Sequence, residues 1–132
     1  LMGNYLMATH LLIPQVENSI RYLLEQRGVT VSQLDDEGVQ DERPLNDILY
    51  FPEVDEMFGE DLAFDLRGLL VERYGSNLRN RVAHGLMSFD GFYSFETAYF
   101  WWITLRLCCI PIITHLKDDQ QKPSPTTSDE KG

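Results

Sequence analysis

The chain has 132 residues, of which 43% are hydrophobic and 11% aromatic, and it carries a formal net charge of −10 at neutral pH. That length accommodates one domain with a buried core. The acidity argues against a generic nucleic-acid binder, whose affinity comes from lysines and arginines neutralising phosphates.

Leu1 is not a residue that methionine removal leaves at a start, so the expectation is the C-terminal part of a longer protein, with an upstream domain of the same chain as a candidate partner. From Met2 to Gln26 apolar residues give way to an amphipathic pattern in which Leu12, Val16, Ile20 and Leu23 or Leu24 recur at helical spacing, and Gly28 suits the C-terminus of that helix. Pro14 marks either a kink or a helix start. The segment from Val29 to Pro44 is acidic and without a sustained period, which reads as a surface loop. Eleven acids between Asp35 and Asp61 face a single base, Arg43. The run is a solvated face, or a screen that repels RNA until masked, or a nucleic-acid mimic.

Leu45 to Phe51 and Pro52 to Phe58 read as short helices, the second opened by a proline at a favoured position. In EDLAFDLRGLLVERYG the stripe Leu62, Leu66, Leu69 or Leu70, and Arg73 predicts a helix that stops at Gly75. From Phe92 to His115 apolar side chains occur on every side, as expected of a central helix surrounded by others. Its most hydrophobic part, AYFWWITLRLCCIPIIT, is short for a membrane span and contains Arg106 and Pro111, so no membrane association is expected. Trp101 and Trp102 divide between core and interface packing. Arg106 must meet an acid, Glu17 or Asp65, or reach solvent.

The tail QQKPSPTTSDEKG has almost nothing to bury. The domain reading is therefore a helical domain over 1–116 and a disordered tail over 117–132. With no repeats and no alternation of period two, the fold class is an all-α bundle with a long central C-terminal helix. Cys108 and Cys109 are adjacent and cannot form an ordinary disulfide, which suits a reducing compartment, and Leu1 to Ile13 lacks signal-peptide features. A cytoplasmic location is expected. His10, His84 and His115 have no short ligand spacing, so neither metal nor cofactor is expected.

Chemistry concentrates in GSNLRNRVAHG, Gly75 to Gly85, within a stretch where Arg67, Arg73, Arg79 and Arg81 outnumber Asp65 and Glu72. Ser76 is expected to cap a short helix over Asn77 to His84 that Gly85 ends. Asn77, Asn80 or Arg81, and His84 share one face, while Leu78, Val82 and Leu86 form the buried one. Arg79 stands about 140° from His84, within reach of its long side chain. Imidazole exchanges protons near neutral pH, and guanidinium forks match a phosphate whose charge grows in the transition state. The combination suits phosphodiester cleavage, with Asn80 orienting the ring or the substrate. The plainer alternative has Arg79 pairing a buried glutamate and His84 capping a carbonyl. Likewise the stripe His10, Glu17 and Arg21 either supports His84 or Arg79 from behind or closes on itself as a Glu17–Arg21 pair.

R-N-x-x-x-H, present as Arg79, Asn80 and His84, resembles the Arg-polar-x-x-x-His signature of the HEPN superfamily (higher eukaryotes and prokaryotes nucleotide-binding), α-helical bundles that often act as metal-independent endoribonucleases. The longer NLRNRVAHG, with HLLIPQVENSIRYLL near the N-terminus, is similar to the domain-of-unknown-function 4209 family within or near that superfamily, over roughly Ala8 to Ile113. The resemblance implies a homodimer whose two motifs face each other across a cleft. It implies His84 as general acid or base, Arg79 on the scissile phosphate and Asn80 as the polar residue beside it. Asn77 and Arg81 are added as substrate contacts. The expected partner is RNA or a nucleotide phosphate, and the alternative is a non-catalytic nucleotide- or partner-binding dimerisation module.

Overall fold

Asn4 opens the first helix by accepting a hydrogen bond from the Met7 amide through Oδ1 at 3.1 Å, and α1 then runs over Tyr5–Gln26. The structure, a computed structural model, describes residues 4–34 and 37–121. Thr9, Ile13, Val16, Ile20 and Leu24 form the inward stripe of α1. Pro14 lies inside the helix on its exposed side, where water can meet the carbonyl that its missing N–H leaves free. At the other end Val29 N–H donates to the Leu24 carbonyl and Gly28 N–H to that of Glu25, the paired bonds of a glycine-terminated helix.

The segment expected as a loop from Val29 to Pro44 contains a hairpin instead. Strands β1 (Ser32–Leu34) and β2 (Gln40–Glu42) pair antiparallel, with Ser32 opposite Glu42 and Leu34 opposite Gln40. Three-residue strands of mostly exposed residues bury too little to leave an alternating signature. The hairpin is attached at its base, where Val31 is buried and its carbonyl accepts from the Arg43 amide at 2.9 Å.

Helices α2 (Leu45–Ile48), α3 (Pro52–Phe58) and α4 (Glu60–Leu70) follow. Arg67 on α4 gathers them: its Nε donates to the Leu49 carbonyl at 2.8 Å, its Nη2 pairs with Asp55 at 2.7 Å, and its guanidinium lies 5.1 Å from the centre of the Tyr50 ring. The Tyr50 hydroxyl in turn donates to Glu72. Helix α4 packs against α3, α5 and α6, and Leu62, Ala63, Leu66, Leu69 and Leu70 are buried on it. It ends at Leu70, short of the expected Gly75.

Helix α5 spans Leu78–Ala83, a 3₁₀ turn spans Asp90–Tyr93, and α6 spans Phe95–Gln121. Phe92, expected to open the last helix, lies in the 3₁₀ turn. Nor does α6 have neighbours on every side: Phe100 and Ile103 are fully buried, but Trp102 and Leu105 are each 55% exposed. Its backbone remains helical past position 117, into the segment read as tail, and residues 122–132 lie outside the described residues. The hydroxyl of Tyr99 donates to Asp65 at 2.7 Å and ties α6 to α4. That bond raises the tyrosine above its ordinary value of 10.0, because the carboxylate holds the proton in place. Of the two outcomes open to Arg106, an acid such as Glu17 or Asp65 or solvent, the structure shows the second, with the residue exposed.

The described residues are thus mostly helical around one core in which Ile20, Leu24, Leu45, Ile48, Leu66, Leu70, Leu78, Phe100 and Ile103 are at most 1% exposed. No described helix is long and apolar enough to cross a membrane.

The α4–α5 connection is set by a close backbone approach. Ser76 N–H donates to the Gly68 carbonyl at 3.0 Å, and a Cβ on Gly75 would stand 2.0 Å from that same oxygen. Gly75→Ala should therefore lower the urea unfolding free energy by about 1–3 kcal/mol. Gly68→Ala, whose Cβ would meet nothing within 4 Å, should leave it unchanged or raise it. Equal stability of the two variants would contradict this account of the junction.

Candidate functional site

Helix α5 begins where Asn77 takes a left-handed conformation, φ 47° and ψ 39°. Asparagine tolerates this region better than other non-glycine residues. Ser76 was expected as the cap, but the helix has no side-chain cap, and Asn77 occupies that position. Its side chain turns to a different task, accepting from Asn80 Nδ2 at 2.7 Å. The helix ends in paired bonds, Leu86 N–H to the Arg81 carbonyl at 2.8 Å and Gly85 N–H to that of Val82 at 3.2 Å, with Gly85 at φ 64°. Leu78 is fully buried beneath it, whereas Leu86, assigned to the buried face, is 69% exposed.

From Asn80 a chain of polar contacts crosses to the first helix. Arg79 Nη1 donates to Asn80 Oδ1 at 3.2 Å, and Arg79 Nε donates to Glu17 Oε2 at 3.2 Å. The other oxygen of Glu17 accepts from Arg21 Nη2 at 3.0 Å, one turn along α1. Arg21 Nε in turn lies 3.6 Å from Glu42 Oε2 on β2. Glu17 thus pairs with Arg21 along its own helix and also with Arg79, so for Arg79 the plainer alternative, an arginine paired with a nearly buried glutamate, is the arrangement found. Its side chain is only 16% exposed, and those of Arg21 and Arg79 are 10% and 32% exposed.

One carboxylate between two guanidinium groups leaves a net positive charge on the trio, and burial strengthens each interaction within it. Arg21 Nη1 is buried with no hydrogen-bond partner among the described residues, so the trio depends heavily on the glutamate it has. Glu42, mostly exposed, completes the line from outside.

The candidate residues do not all converge. Arg79 and Asn80 are joined by a hydrogen bond, Asn77 is joined to Asn80, and His84 is exposed at the C-cap of α5, its backbone N–H bonded to the Asn80 carbonyl at 3.0 Å. Arg81 departs from them. Its Nη1 reaches the Ser76 carbonyl at 3.5 Å, and its Nη2 lies beside Gly91 of the 3₁₀ turn. Glu96 is held below the usual carboxylate value chiefly by the Ser94 hydroxyl, then by its own backbone N–H, with a smaller contribution from Arg81. Two residues apart on a helix means nearly opposite directions, which explains the divergence. His10, the other member of the first-helix stripe, stacks on Phe92 with ring centres 5.1 Å apart and bonds its Nδ1 to the Leu6 carbonyl.

Glu42 was absent from the candidate set, and its sequence surroundings offered no signal, because it reaches Arg21 only through the pairing of β2 with β1. Among the described residues no group of three or more His, Cys, Asp or Glu side chains is placed to hold a metal ion. A cavity of about 490 Å³ opens at the outer end of this polar chain, where Arg21 and Glu42 line it, and one of about 520 Å³, lined mostly by apolar residues of α1, α3 and α6, lies apart from it. In comparisons with known proteins, no family model, no curated protein and no solved structure matches the chain.

Glu17→Gln preserves shape and removes the shared charge. It should lower unfolding free energy by about 1–3 kcal/mol in urea titrations, since Arg79 then lacks a counterion and Arg21 keeps only the exposed Glu42 at 3.6 Å. In a double-mutant cycle with Arg79→Gln the two changes should depart from additivity by at least about 0.5 kcal/mol. Strict additivity would show that the Glu17–Arg79 contact contributes nothing in solution.

Proposed function

We propose that the chain is a HEPN-type helical domain that cleaves RNA without a metal, with Arg79, Asn80 and His84 at its centre. The observation that carries this reading is the hydrogen-bonded chain that fixes Arg79 between Glu17 and Asn80 while His84 stays exposed at the end of the same short helix. A guanidinium group held in this way is oriented before any ligand arrives, and orientation in advance is what makes a donor effective at a developing charge.

The reaction is an internal transesterification. The ribose 2′-oxygen loses its proton and bonds to phosphorus, the bond to the 5′-oxygen breaks, and that oxygen takes up a proton, leaving a 2′,3′-cyclic phosphate. His84 exchanges one of these protons. The Arg79 hydrogens not taken by Glu17 and Asn80 are the donors available to the phosphate oxygens. Asn80 holds Arg79 in place, Asn77 holds Asn80, and Arg81 attracts the strand beside them. One imidazole cannot serve as base and acid at the same moment, so the second proton is assigned to His84 of a second copy, the two α5 helices facing each other in a homodimer.

With varied RNAs in excess chelator, the wild-type chain should yield products ending in 2′,3′-cyclic phosphate, and His84→Ala should be slower by about 10²–10⁴-fold. Cleavage by His84→Ala at the wild-type rate would falsify the assignment of the imidazole. If the wild type cuts nothing, but binds an anionic strand that His84→Ala also binds and Arg79→Ala does not, the same face is a non-catalytic binding module. Light scattering that finds a monomer would remove the composite cleft.

A further inference from the structure

The cavity of about 520 Å³ between α1, α3 and α6 takes no part in the cleavage chemistry, and none of its described lining residues belongs to α5. Val16 and Ile20, both buried, form its floor, while the half-buried Leu12, Met57, Phe58 and Leu107 stand along its walls. On α1 the lining extends from Leu12 to Arg27, a run of roughly 22 Å at the helical rise. A cavity of this size with a mostly apolar lining and a few polar groups has the make-up of a small-molecule site.

The hydroxyl groups in the lining make no demand on a ligand. Ser19 Oγ donates to the Gln15 carbonyl at 2.8 Å and Thr104 Oγ1 to the Phe100 carbonyl at 2.9 Å, each one turn back along its own helix. The one charged residue among the described lining residues is Arg27, which is exposed and stands at the far end of the run as the C-cap of α1. Among the described residues Arg27 enters no ion pair. The negative end of α1 accounts for a cation at this position, but not for a long apolar space that runs up to it.

We infer that this cavity binds one long-chain fatty acid as its carboxylate, the alkyl chain lying along α1 over Val16 and Ile20 and the carboxylate meeting Arg27. Charge complementarity and shape select this occupant together. In a chain of net charge −10, the charged group that lines the cavity is a cation, so an anionic head is favoured and a cationic one repelled. The charge stands at one end and the apolar side chains along the rest, which is the polarity of a single-tailed amphiphile. An extended alkyl chain of about sixteen carbons is roughly 20 Å long, close to the run from Leu12 to Arg27. A polynucleotide, charged along its whole length, would leave the apolar walls unmatched. The inference is independent of the RNA-cleaving reading and stands or falls apart from it.

The test is equilibrium dialysis of the chain against radiolabelled palmitate, with hexadecanol and octanoate as comparison probes. Palmitate should bind with a Kd below about 100 μM, and octanoate at least about tenfold more weakly, because it buries half the chain. Arg27→Gln should weaken palmitate about three- to thirtyfold and leave hexadecanol unaffected. Cys108→Trp, which puts an indole on an exposed lining position, should weaken both, with circular dichroism confirming its fold. A second readout needs no bulky variant: in Cys109→Ser protein, palmitate should slow alkylation of Cys108 by N-ethylmaleimide. No binding of palmitate by the wild type would overturn the inference, as would equal binding by Arg27→Gln or an unprotected Cys108. So would a chain that ignores soluble palmitate but sediments with phosphatidylglycerol vesicles, or one that forms a dimer by light scattering which Cys108→Trp dissociates, since a membrane or a second copy would then cover this face.

Discussion

The carboxylate of Glu17, shared between Arg21 and Arg79, is the contact on which the arrangement of this surface depends. It is nearly buried, it joins the first helix to a short helix far along the chain, and it holds two like charges closer than they would otherwise rest. Without it, Arg21 would be left as a buried cation facing a second cation, with only the exposed and longer contact to Glu42 remaining. Everything proposed for α5 presumes that this carboxylate keeps Arg79 in its orientation.

The same contact reframes the acidity of the chain. A net charge of −10 opposes RNA binding only if the acids face the RNA. Glu17 and Glu42 belong to the arginine chain, and Asp55 is engaged by Arg67, which gathers α2, α3 and α4. Part of the negative charge therefore holds arginines in place. Around α5 the charge is then close to balanced, Arg79 being met by Glu17 and Arg81 lying near Glu96, and a local surface is what a ligand meets within a Debye length of about 8–10 Å.

Rigidity around α5 comes from backbone as much as from charge. The helix is too short to be stable alone. It is held by Leu78 in the core, by the close approach of Gly75 to Gly68 before it, and by the paired bonds at Gly85 after it. Asn77 adopts its left-handed conformation at this junction, and doing so brings its oxygen to the Asn80 amide. Stability and site geometry are thus linked at the same few residues.

Local rules determined the helices with a one-sided stripe, α1 and α4, and their glycine punctuation, because burial at a period of 3.6 leaves its record in neighbouring residues. They also marked Arg79, Asn80 and His84 as residues of one short helix. They extended α4 to Gly75, assigned Leu86 to the interior and took the hairpin for a loop, since helix ends, exposure and three-residue strands are decided by what lies opposite in space. That Glu17 meets Arg79 across 62 positions, that Glu42 reaches Arg21 through strand pairing, and that Arg81 turns away toward Gly91 of the 3₁₀ turn belong to the tertiary structure alone. A charge pair leaves no periodic trace in sequence: which acid a given arginine meets depends on how helices are packed, and only the folded chain specifies that.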